Sequence, residues 1–153
     1  MAAELYNALA QVKTDMATLT NVQYVQLGQL MSAATEATES KCVACVYMVS
    51  GSPDNDNYTS TSEHHRVEAA FYWPLNAHNV ELVEQNMATM WDVAMTKFFG
   101  SDADRNLTEK ATLALVGSEG GNEPYRAGFV EIGGVLHRVL TIPVQIILDT
   151  HSV

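Results

Sequence analysis

Near the C-terminus two strand-like runs flank the pair Gly133-Gly134, and this arrangement restricts the fold more than any other stretch of the chain. Gly-Gly supplies the positive φ angles that a two-residue hairpin turn needs. Before it, Arg126-Ala-Gly-Phe-Val-Glu-Ile132 reads as one strand, and after it Val135–Asp149 reads as a second, much longer one. In the long run Leu136, Leu140, Ile142, Val144, Ile146 and Leu148 share one face, interrupted by Arg138. Val135, His137, Val139, Thr141, Pro143, Gln145 and Ile147 make a mixed opposite face. A strand of about 14 residues would span roughly 45 Å. That is long for a small domain, so part of it is expected to pair with or pack on something outside the subunit. Proline cannot donate to a ladder, so Pro143 marks a local edge or bulge.

The rest of the chain alternates between the two periodicities. Ala2–Leu19 reads as a helix, with Leu5, Leu9, Val12, Met16 and Leu19 at helical spacing. Val22–Leu27 is a short alternating strand, and Gln29–Ser40 is irregular with some helical tendency. Lys41–Ser50 is apolar almost throughout and reads as a central strand. Gly51–Ser62 is rich in turn residues and reads as a polar loop. His64–Trp73 is a third strand, with Val67, Ala69 and Phe71 on one face and Arg66, Glu68, Ala70 and Tyr72 on the other. A second helix is expected from about Ala77 to Phe99, capped by Asn76 and stopped by Gly100. Ser101–Arg105 is a polar turn, Ala111–Val116 a short strand, and Gly117–Pro124 a glycine-rich loop. The order α-β-β-β-α-β-β-β predicts one α+β domain over residues 1–153, with a mixed or antiparallel sheet packed against two helices.

Eighteen acidic residues against eight basic ones leave a net charge of -10. A surface that grips duplex nucleic acid is excluded by that balance. The acids are spread along the chain, which suits general solubility or a surface past which nucleic acid slips without sticking. Met1-Ala-Ala-Glu-Leu5 lacks the basic and apolar regions of a secretory leader, so a reducing cytoplasm is expected. The glycosylation patterns at Asn57 and Asn106 are set aside on the same ground. No run approaches the roughly 18 apolar residues of a membrane span.

The residues that could carry chemistry do not assemble into a motif. Cys42-Val-Ala-Cys45 has redox spacing, but within a strand the two thiols point to opposite faces, and no second pair completes a zinc site. His64 and His65 diverge for the same reason; with Glu68 they are the residues a small metal-dependent or ligand-binding enzyme would use. Asp54 and Asp56 lie in a run without the glycine and terminal glutamate of a calcium loop. Gly117–Gly121 lacks the Gly-Lys-Ser/Thr ending of a phosphate loop. No catalytic residue, cofactor or metal is expected. Phe71, Tyr72 and Trp73 serve either the core or a partner-facing anchor.

Taken together, the elements resemble the tail terminator and tail completion proteins of long-tailed bacteriophages. The likeness lies in layout: an opening helix (Ala2–Leu19), strands Cys42–Ser50 and His64–Trp73 around a polar loop, a long helix (Val80–Phe98), and a closing hairpin with a long last strand (Tyr125–Asp149). It covers nearly the whole chain, and Gln29–Ser40 has no counterpart in it. The resemblance implies a structural virion protein: a ring of copies of the chain, a hexamer, that caps the tail tube and joins it to the head, assembled in the host cytoplasm. Its implied partners are other copies of itself, the tail tube protein and head-tail connector proteins, with DNA passing through an acidic channel and no membrane involved. A head-tail connector or tail tube subunit is the alternative within the same class. By position the contacts would come from Asp54 and Asp56, from Glu119 and Glu123, and from His137, Val139 and Thr141 on the less apolar face of the last strand.

Overall fold

The computed structural model describes residues 3–35, 37–38, 40–54, 62–116 and 124–149. Helix α1 (Ala3–Ala17) leads into strands β1 (Val22–Leu27), β2 (Cys42–Asp54) and β3 (Ser62–Pro74). Helix α2 (Val80–Phe99) follows, then a short 3-10 turn (Ala103–Arg105) and strands β4 (Asn106–Thr108), β5 (Ala111–Leu115), β6 (Arg126–Ile132) and β7 (Val135–Asp149). The seven strands form one sheet in the order β1-β2-β3-β7-β5-β4, with β6 also on β7. Strand β1 runs parallel to β2 and the other pairings are antiparallel, so the sheet is mixed and the class is α+β.

Both helices cover one face of the sheet. From α1 the apolar stripe sends Ala8, Leu9, Val12 and Met16 inward; from α2 it sends Val83, Met87, Met90, Ala94 and Phe98. They meet Cys42, Ala44 and Val46 of β2, Val67, Phe71 and Trp73 of β3, and Leu140, Ile142, Val144, Ile146 and Leu148 of β7. Burying each large apolar side chain stabilises the fold by about 1.5–3 kcal/mol. Helix α2 starts later than expected: Asn76 does not cap it. Instead Asn79, buried at the start of the helix, donates from Nδ2 to the Pro74 carbonyl (3.1 Å) and accepts the Asn76 N–H (2.9 Å), so it braces the turn between β3 and α2.

Strands β2 and β3 are longer than the apolar pattern suggests. Residues Gly51 to Asp54 continue the ladder opposite Ser62–His65, which corrects the expectation of a loop from Gly51 onward. Ladder hydrogen bonds come from the backbone and do not require apolar side chains. A register shift between Met48 and Ser50 precedes the extension. The remainder of the expected loop, and most of Gly117–Pro124, lies outside the described residues.

The long last strand is central, and this corrects a sequence expectation. Strand β3 covers one edge of β7 from His137 to Asp149. On the other edge two shorter strands lie end to end: β6 opposite Val135 to Thr141, and β5 opposite Val144 to Leu148. Length therefore does not force β7 to find a neighbour in another subunit, because two half-length strands in tandem cover it. Pro143 falls in the gap between them, where β7 is locally an edge, and its pairing with Glu68 is unbulged.

The opposite face of the sheet is covered in part by residues 29–38. They are irregular rather than helical among the described positions. Leu30 and Ala34 press on Val43, Cys45, Ala70, Tyr72 and Val139 to make a second, smaller core.

Candidate assembly interface

The turn at Ile132–Val135 is the tight one the sequence predicts: Gly133 and Gly134 have φ of 59° and 79°. Positive values at both central positions are the signature of a type I′ turn, which twists with the strands it joins. The hairpin it closes reaches past the end of β3, whose last partner on β7 is His137. Several side chains of β6, of the residue before it and of the turn end of β7 lack cover. Phe129 is 64% exposed, Leu136 46%, Tyr125 44% and Val130 36%. Leu136 belongs by parity to the core face, but it lies beyond the reach of β3 and is exposed. No residue of β6 is buried, and among the described residues β6 pairs with β7 alone.

Polar contacts fix the hairpin to the body on both faces. On the helix side Arg138 pairs with Glu84 of α2, donates to the Gly128 carbonyl (3.0 Å) and lies 4.4 Å above the Phe129 ring. Next to it a cleft of about 360 Å³ opens between α2 and the hairpin. The Trp91 and Tyr125 rings meet beside that cleft at 4.9 Å, tilted by 50°. On the other side Arg126 of β6 donates to Glu68 Oε2 (2.8 Å), while the Tyr47 hydroxyl donates to Glu68 Oε1 (2.7 Å). Burial first, and then the Glu68 carboxylate, push the Tyr47 phenol up, so it stays a neutral donor.

The residues expected at the interface separate into two groups. His137, Val139 and Thr141 are buried inside the subunit, His137 bonded to the Ala34 N–H and Val139 packed with Leu30, Ala34 and Ile132, which corrects the expectation that this face of β7 looks outward. Asp54 ends β2 opposite Ser62, and Asp56, Glu119 and Glu123 lie outside the described residues. Cys42 and Cys45 point to opposite faces as their spacing implies: Cys42 enters the helix-side core and Cys45 the smaller one. Both are free and buried, and burial pushes both thiols up. His64 and His65 also diverge, His64 Nδ1 lying 3.3 Å from Gln145 Oε1 and His65 Nε2 2.7 Å from Glu63 Oε1. Among the described residues no group of three or more His, Cys, Asp and Glu side chains could hold a metal ion, and no helix is long and apolar enough to cross a membrane.

Sequence reasoning missed the exposed side chains of the hairpin. Their signal was present in β6, where Phe129 and Val130 are adjacent and fall on opposite faces, so both are buried only if both faces are covered. The sequence matches no protein-family model and no curated protein.

Proposed function

We propose that the chain is a structural virion protein, a subunit of a ring that closes the end of a phage tail tube and joins it to the head. The observation that carries this reading is the β6–β7 hairpin, whose outer edge has no partner among the described residues and whose Phe129, Val130 and Leu136 are exposed. An unpaired edge with apolar side chains is a template for another chain, and proteins that stay single usually blunt such edges. The other two outer strands are blunted. Strand β1 has a register shift between Val22 and Tyr24, and β4 is three residues long with a shift of its own. In this reading neighbouring copies meet at the hairpin, and the acidic residues Asp54, Asp56, Glu119 and Glu123 serve the contacts with the tail tube and connector proteins. The net charge of -10 suits a channel through which DNA passes without being held.

The element order supports the resemblance, because opening helix, long helix and closing hairpin occupy the positions that the layout requires. The test is solution mass and negative-stain imaging of the protein alone and mixed with isolated tail tubes. Rings, in solution or formed on tube ends, are expected. A protein that stays monomeric at high concentration and ignores tube ends overturns the reading.

A further inference from the structure

We propose that the cleft between α2 and the β6–β7 hairpin is a binding site for a guanidinium group, an inference independent of the ring reading. The cleft encloses about 360 Å³, within the range of pockets that hold small ligands. Buried Met87 and Leu140 give it apolar surface. The rings of Trp91 and Tyr125 also line it, 4.9 Å apart and tilted by 50°, so neither ring fully covers the other. Both remain partly exposed. An aromatic face attracts a cation through its quadrupole. Guanidinium suits such a face because it is flat and more weakly hydrated than an ammonium.

Charge selects the same class of ligand. The charged side chains that line the cleft are Glu84, Asp92 and Arg138. Arg138 is taken up by Glu84, by the Gly128 carbonyl and by the Phe129 ring, so it offsets Glu84 and is not left to receive an anion. Asp92 is exposed and forms no ion pair among the described residues, so the cleft keeps one net negative charge. All eight lysines and arginines of the chain lie among the described residues, and of them only Arg138 lines the cleft. Residues 117–123, outside the described set, contain Glu119 and Glu123 and no basic residue, so any charge they bring is negative. One wall already displays the mode of recognition: Arg138 holds its guanidinium over an aromatic ring and against a carboxylate of α2. Trp91, Tyr125 and Asp92 offer the same two kinds of group about two turns further along that helix.

The test follows the two indole N–H signals by NMR during titration with three probes. These are ethylguanidinium, the end-blocked tripeptide Gly-Arg-Gly, and the same tripeptide with citrulline, which keeps the shape of arginine without its charge. Trp91→Phe identifies the Trp91 signal, and fully buried Trp73 is the internal control. Ethylguanidinium is expected to shift Trp91 and not Trp73, saturably, with a dissociation constant on the order of 1 mM. A like response to the arginine tripeptide assigns the guanidinium to a side chain of a partner protein; a response to ethylguanidinium alone assigns it to a small free ligand. Asp92→Asn keeps the shape of an exposed side chain, so it should melt as the unaltered protein does and bind roughly fivefold more weakly. Silence at Trp91 with both guanidinium probes overturns the proposal. So does a citrulline tripeptide that binds as tightly as its arginine counterpart, or undiminished binding by Asp92→Asn.

Discussion

His137 and Val139 sit on the same face of β7, and sequence spacing alone gives no reason to bury them. Their cover arrives from a segment about a hundred residues earlier, joined at a sequence separation of 103, and no periodicity within β7 encodes it. The consequences are measurable. His137→Phe keeps the ring but leaves the buried Ala34 N–H without an acceptor, and should lower stability by about 1–3 kcal/mol in chemical denaturation. Val139→Asp places an unpaired carboxylate in the smaller core. It should cost several kcal/mol and show as lost secondary structure by circular dichroism rather than as a folded, dissociated protein. The cysteines illustrate the opposite case: spacing within one strand settles which face each takes, so their divergence was legible. A third expectation concerns alkaline pH. Burial raises the phenols of Tyr47 and Tyr72 above their ordinary value. Groups with a raised folded pKa contribute stability below their unfolded value and lose it as pH climbs toward the folded one. Stability should therefore fall above about pH 10, and phenolate absorbance from these two tyrosines should appear together with unfolding.

Strand β7 and the turn before it were legible with correct boundaries because the period-2 pattern and the Gly-Gly pair are local signals. Its place in the sheet was not, because two separate strands share one edge and neither announces its partner. Strand β4 escaped for a related reason: three residues carry no periodicity, and Asn106–Thr108 exists only through its pairing with β5. The turn itself invites a test. Gly134 has φ of 79°, a conformation that costs a residue with a Cβ about 1–2 kcal/mol, and a β-branched residue suffers most. Gly134→Val should thus destabilise the hairpin by at least about that much, seen as faster amide exchange across β6 while α1 and β1 keep their protection. Gly133→Asn should be tolerated, since Asn-Gly is the preferred pair for this turn and a Cβ at Gly133 meets its nearest neighbours at 3.6 and 3.7 Å, ordinary contact.

For the molecule as a whole, what distinguishes the hairpin from the other exposed apolar side chains is the company they keep. Tyr6 on α1 is 61% exposed, but it lies on a helix, whose backbone hydrogen bonds close within the element and offer no ladder edge. Phe129 is equally exposed, but it lies on a strand whose outer edge has no partner among the described residues and which is held by Arg138 and by the Arg126–Glu68 pair. A rigid edge loses little conformational freedom on pairing, so more of its contact energy is retained for association. Phe129→Glu should accordingly leave the fold nearly intact, costing about 1 kcal/mol or less through the lost contact with Arg138, while abolishing rings and capture at tube ends. Tyr6→Glu, a like change on an equally exposed residue, should leave both untouched. The comparison is made by sedimentation and electron microscopy on the two variants, each first shown to melt as the unaltered protein does. Rings that survive Phe129→Glu would remove the hairpin from the contact between copies and leave the acidic loops to supply it.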